Sequence, residues 1–254
     1  MSDLSPDARA ALAELLLTMA DDELVIGYWD SEWTGIAPML EEDVAMSSVS
    51  QDEIGHAAAL YEMLAGLTDT DADAIAYGRE PEAYRHAALL DHPRTDWAFS
   101  IARRYLYETA DAARLTALAG SSYEPLALLA GKMRREERYH LMHVDAWVRR
   151  LGEATGDGRD RLAAAFEQLG DDALTVLGPL DGEAALLAAG ILPQPMDATR
   201  AAWLERISGP LTALGLQVPS GTPRGDGRTA HGDDFAWLHR EMTMVSRSEV
   251  GATW

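Results

Sequence analysis

Two copies of the pattern Glu-x-x-His stand in this chain of 254 residues, at Glu53 and His56 and again at Glu137 and His140. Each is preceded by a further acid, Glu23 lying 30 residues before Glu53 and Glu108 lying 29 before Glu137. A glutamate and a histidine three apart share one face of a helix, so both reach the same ion. Carboxylate and imidazole donors suit iron or manganese. The chain has no cysteine, which removes thiolate ligands and disulfides from consideration. Its composition would give about half of one Glu-x-x-His match by chance. Two matches, each with an acid at a matched distance upstream, read as an internal duplication in which two helical hairpins each supply half of a site.

The elements that must position these residues are long helices. Apolar residues recur every three or four positions, and β-branched alternating runs are missing. One stripe runs Leu12, Leu16, Met19, Glu23, Ile26 and should end before "SEWTGIAP"; a second runs Met46, Val49, Glu53, His56, Leu60, Met63 and should stop at the Gly66 and "TDTDAD" loop. A third, after "DHPRTDW", gives Ile101, Tyr105, Glu108, Ala112, Leu115, and a fourth, after Pro125, runs Leu126, Ala130, Met133, Glu137, His140, Val144, Trp147, Leu151. All six ionisable residues fall on apolar stripes, where a lone buried carboxylate costs several kcal/mol unless paired or neutralised. Four carboxylates balance two divalent cations. One Glu from each of two helices and a Glu-x-x-His from each of two others is the ferritin-like di-metal arrangement. The expectation is an all-α, ferritin-like four-helix bundle over about residues 8–151. Additional C-terminal helices over about 158–248 should complete a single domain spanning 1–254.

Ordinary partners compete with this reading. Glu23 in "MADDEL" could face solvent, Glu108 could pair with Arg104 one turn earlier, and Glu137 lies in "RREER", a pattern common on solvated faces. Asp52 and Asp111 are candidates for orienting the ligating histidines. His86, His92, His143, His231 and His239 read as surface or loop residues. Trp29, Trp33, Trp97, Trp147, Trp203 and Trp237 read as packing.

A formal net charge of −21 argues against nucleic acid or an anionic membrane as partner. No apolar run is long enough to span a bilayer, and "MSDLSPDARA" lacks the pattern of a signal peptide, so the expected compartment is cytoplasmic.

The stretches "LLLTMADDELVIGYWDSEWTGIAPMLEEDVAMSSVSQDEIGHA", "DWAFSIARRYLYETADAARL" and "KMRREERYHLMHVDAWVRRLG", with Trp254 at the C-terminus, resemble the C-type subunit of bacterial phenylacetyl-CoA epoxidase. The resemblance covers nearly the whole chain. It implies a ferritin-like fold and a place in a multicomponent monooxygenase of aerobic phenylacetate degradation. There phenylacetyl-CoA is epoxidised with dioxygen and electrons from NADPH, delivered through a reductase. It also implies that a catalytic A-type subunit holds the working di-iron site, the C-type site being degenerate. This chain departs from that expectation, because Glu23, Glu53, His56, Glu108, Glu137 and His140 are all competent metal ligands. Three readings stay open: a working di-iron centre (or its manganese counterpart), a metal-stabilised scaffold, and a stand-alone ferritin-like di-metal oxidase. Arg103, Arg104, Arg134, Arg135 and Arg138 are candidates for a basic edge that meets coenzyme A.

Overall fold

The computed structural model describes residues 4–248; Trp254 lies outside the described residues. Among them every regular element is helical: α1 (Pro6–Ser31), α2 (Leu40–Thr68), α3 (Ala72–Tyr77), α4 (Trp97–Leu118), α5 (Glu124–Gly152), α6 (Asp157–Ala173), α7 (Glu183–Ala188), α8 (Met196–Ala213) and α9 (Asp233–Ser248), with short 3₁₀ turns between some of them. The fold class is therefore all-α, with the four long helices of a ferritin-like protein in α1, α2, α4 and α5. Local signals account for most of their ends. Asp96 caps α4 by accepting the Phe99 N–H, and Pro125 sits in the first turn of α5, where a missing N–H costs nothing. α2 ends within the expected Gly66 and "TDTDAD" loop, though not at the glycine itself. The helix runs to Thr68 and ends at Asp69, in the left-handed conformation at φ 55 with its N–H on the Ala65 carbonyl. A glycine inside a helix costs only about 1 kcal/mol relative to alanine, too little to break a well-packed one.

The chain divides into two compact units. One consists of Arg94–Gly227 with the N-terminal residues as far as Glu14. In it α4 packs against α5, α6 and α8, and is buried on nearly every face. Two of the helices after Gly152, α6 and α8, are thus part of what buries α4. From α8, the Trp203 indole N–H donates to Thr109 Oγ1 at 2.9 Å, and from α6, Phe166 meets the Tyr105 ring edge-on. This cover corrects the expected basic edge: Arg103 and Arg104 are fully buried, whereas Arg134, Arg135 and Arg138 on α5 are exposed.

The other unit is Leu15–Pro93 with the chain from Arg228 onward. Three consecutive acids on α1, Asp21, Asp22 and Glu23, are all buried, and they point to different partners. Asp21 accepts from the Tyr61 hydroxyl, the Arg79 guanidinium and the Arg85 N–H. Asp22 accepts from the Ala87 N–H at 2.7 Å and from both terminal nitrogens of Arg228 at 3.0 Å. These bonds pin the irregular segment 79–91 and the approach to α9 onto α1. Burial, reinforced by Asp21, pushes the Tyr61 hydroxyl well above its ordinary pKa.

Of the histidines expected on the surface or in loops, His86 and His231 lie in loops yet are enclosed, and His239 lies within α9. His86 and His239 are buried, and the His231 side chain is nearly so. One oxygen of Asp91 lies 2.7 Å from His86 Nε2 and 3.0 Å from His231 Nδ1, while His231 Nε2 lies 3.0 Å from the Tyr84 carbonyl oxygen. The two imidazoles stack at 4.0 Å with 16° between their planes. By residue type this trio could take a metal ion. The two ring nitrogens stand at hydrogen-bond distance from one Asp91 oxygen, which joins the three side chains without an ion. It is a clasp between the segment 84–91 and the start of α9. Burial pushes the His86 pKa below its ordinary value despite the bond to Asp91. Burial alone would raise the Asp91 pKa, but hydrogen bonds from His231 and His86 hold it well below the usual carboxylate range.

Two outcomes follow for stability. Arg79→Met leaves Asp21 buried without its guanidinium and should cost about 3–5 kcal/mol in denaturant unfolding, whereas Arg161→Ala, which loses exposed pairs with Asp96 and Asp157, should leave the unfolding midpoint nearly unchanged. For pH, the unfolded chain takes up a proton at His86 near pH 6.5 that the folded form resists, so stability is full above about that pH and falls below it. Asp91 acts in the same direction lower down, its contribution being lost as pH falls below about 4. The melting temperature should therefore drop between about pH 7 and 5, and His86→Gln should flatten that slope.

Candidate metal centre

In the second unit, α1 and α2 approach closely where the ligand candidates sit. A Cβ on Gly27 would stand 2.9 Å from Ile54 Cγ1 and 3.1 Å from Glu53 Cβ, so only glycine lets the two backbones come this near. Glu23 lies one turn before Gly27 on the same helix. His56 Nδ1 is 3.3 Å from Glu23 Oε2 and 3.6 Å from Glu53 Oε2. All three side chains are buried, and the α2 stripe read from sequence is the face that carries them: Met46, Val49, Glu53, His56 and Leu60 are buried together.

The first unit repeats the arrangement on α4 and α5. His140 Nδ1 is 3.6 Å from Glu108 Oε1 and 3.5 Å from Glu137 Oε1, and the three are again buried. The buried residues of α5 include Leu126, Ala130, Met133, Glu137, His140, Val144 and Trp147, the predicted series except for its last member, the half-buried Leu151. Glu137 therefore belongs to the inward face despite its "RREER" surroundings. This half carries one group that the sequence offered only as an alternative. The Arg104 guanidinium, itself without solvent exposure, makes an ion pair with the Glu108 carboxylate.

Each half thus brings two carboxylates and one imidazole together from two helices, with a formal charge of −2 that one divalent cation would balance. The donor set fits iron or manganese. Arg104 adds a positive charge to the α4–α5 half, which weakens a cation's hold on Glu108 by Coulomb repulsion without removing a donor. Of the expected orienting acids, Asp111 is buried and takes Arg114, whose Nε donates to it at 2.7 Å, while Asp52 is exposed. Sequence reasoning missed the burial of Asp21 and Asp22 beside Glu23. The available signal was the run of three acids inside an otherwise apolar helix, which cannot all share one solvent face at 100° per residue.

A model of the phenylacetic acid catabolic protein family matches residues 1–254. The chain is also similar to the C-type subunit of the 1,2-phenylacetyl-CoA epoxidase of Escherichia coli (strain K12), with 28% identity over 246 residues, 96% of this chain and 99% of the relative.

The ion pair on Glu108 gives a direct test. Arg104→Met should destabilise the metal-free protein by about 3–5 kcal/mol, because Glu108 loses its buried counter-charge. Added Fe²⁺ or Mn²⁺ should restore more stability in this variant than in the wild type, since bound metal replaces the missing cation. Thermal unfolding with and without metal under anaerobic conditions reads the difference. An equal metal-induced shift in both proteins would show that Arg104 and the metal do not share Glu108.

Proposed function

The chain belongs to the phenylacetic acid catabolic protein family, and from that premise we propose that it is the C-type subunit of a multicomponent 1,2-phenylacetyl-CoA epoxidase. The observation that carries the reading is the end-to-end similarity to the C-type subunit of such an epoxidase, covering 96% of this chain and 99% of the relative. In this reading residues 1–254 form a single ferritin-like domain. Glu23, Glu53 and His56 hold one iron ion and Glu108, Glu137 and His140 hold another, with manganese as the substitute. Bound iron supplies the one-electron chemistry that dioxygen requires. The chain's own residues would hold the ions away from water in apolar helix faces, each histidine turning its Nδ1 toward two carboxylates.

The partners proposed are a catalytic A-type subunit and a reductase. With no cysteine there is no thiolate-held iron–sulfur cluster here, and no strand among the described residues builds a dinucleotide-binding βα unit. Electrons from NADPH must come through another protein. A second reading inside the same complex is a scaffold, metal-stabilised or purely structural, whose buried acids are partly neutralised by resident arginines; the Arg104–Glu108 pair favours it.

Reconstitution separates these outcomes. The isolated chain should not epoxidise phenylacetyl-CoA with NADPH, and omitting this subunit from the mixed components should abolish or sharply reduce turnover. If the centre takes part in the chemistry, Glu137→Ala should remove activity while the complex still assembles. If the chain is a scaffold, the same variant should leave turnover unchanged. Turnover by the chain alone would overturn the partner requirement.

A further inference from the structure

Buried tyrosine hydroxyls in this protein find partners. Tyr61 donates to Asp21, Tyr84 donates to the Ala76 carbonyl, and Tyr107 meets the Arg114 guanidinium. Tyr105 on α4 is the exception. It is only 3% exposed, yet its hydroxyl has no hydrogen-bond partner among the described residues. A hydroxyl withdrawn from bulk water without a partner is costly, so its surroundings call for a polar group from elsewhere.

Tyr105 lines a cleft of about 280 Å³ between the last turns of α5 and the end of α8, all within one compact unit. Apolar walls come from Val148 on α5 and from Leu211 and Leu214 at the end of α8. Asp145, Arg149 and Glu153 stand exposed on the rim, and none of the three side chains has an ion pair or hydrogen bond among the described residues. Burial pushes the Tyr105 pKa up to about 12, and the Asp145 charge adds to the rise. Partial burial also raises the pKa of Asp145 against the pull of Arg206 and Arg149. Asp145 is therefore near enough for its charge to reach the Tyr105 hydroxyl, with no bond between them. The gap is room for a third group.

The chemistry of that group follows from its two neighbours. A hydroxyl accepts from the Tyr105 O–H and donates to the Asp145 carboxylate at the same time. A carboxylate in its place would be repelled by Asp145, and an ammonium by Arg149 and Arg206. The acids Asp145 and Glu153 are balanced by those two arginines, so an ion of either sign loses its water without net compensation.

We propose that this cleft binds a small neutral alcohol with an apolar body, its hydroxyl seated between Tyr105 and Asp145 and its body against Val148, Leu211 and Leu214. A cavity of roughly 150 Å³ takes one benzene ring, so the cleft accommodates a ring with a short polar arm. The site uses none of the six metal-ligand candidates and does not depend on the epoxidase assignment.

The test takes benzyl alcohol as the probe, with benzoate and benzylamine as anionic and cationic counterparts of the same shape, and reads binding to the whole chain by ligand-observed NMR. Benzyl alcohol should saturate at one site per chain, and both ions should bind about tenfold more weakly or less. Ala213→Trp, at an exposed position in the lining, should fill the cleft and abolish binding with an unchanged melting temperature. Tyr105→Phe should weaken binding about 3- to 10-fold, the worth of one hydrogen bond. Its melting temperature should be unchanged or higher, because the hydroxyl has no partner inside the chain to lose. A lowered melting temperature in Tyr105→Phe would reveal an internal partner and overturn the proposal. No saturable binding of benzyl alcohol, an affinity for either ion equal to or above that for the alcohol, or binding unchanged in both variants would overturn it as well.

Discussion

The constraint on which the rest of this structure depends is that no buried carboxylate stands without compensation. Removing an ionised carboxylate from water costs several kcal/mol unless a cation or several hydrogen bonds meet it, and this protein buries such groups repeatedly in helix faces that are otherwise apolar. The solutions differ from site to site. Asp21 and Asp22 are met by Arg79 and Arg228, Asp111 by Arg114 and Glu108 by Arg104. Glu23 and Glu53 gather around His56, and Glu108 and Glu137 around His140. The arginine pairs tie irregular segments to long helices. The two Glu–Glu–His clusters instead gather donors of the kind a metal ion accepts, and that difference is what turns a stability problem into a candidate centre.

Much of this was legible in the sequence because helical period and burial coincide. The stripes through Glu53 and His56 on α2, and through Glu137 and His140 on α5, are the buried faces, since residues three and four apart cannot help sharing a side. Partnership was less legible. Arg104 stood one turn before Glu108, so their pairing could be raised as an alternative, but an i, i+4 pair reads the same on a solvated face as in a core. The burial of Arg103 and Arg104 depends on how α6 and α8 pack around α4, and that packing has no short-range signal. The same holds for His86 and His231, which lie 145 residues apart, stack on each other and share Asp91. Both lie in loops, as one of the two expected placements had it, and tertiary packing encloses them there.

These features bear on function through the unequal halves. The α4–α5 half carries a resident guanidinium on one ligand candidate, and the physical consequence is a weaker attraction for a second cation there. On the proposed epoxidase reading, such a site would place the chain between catalyst and scaffold. The family assignment fixes the metabolic setting, phenylacetate breakdown, and the buried donors determine what the chain could contribute within it.

The most direct test of the central claim, that the two buried Glu–Glu–His clusters are cation sites, is the metal content of the folded protein after anaerobic reconstitution with iron, measured by elemental analysis. The expected content is about two ions per chain, with Glu23→Ala and Glu137→Ala each removing about one. A content well below one ion per chain, unchanged by either substitution, would contradict it.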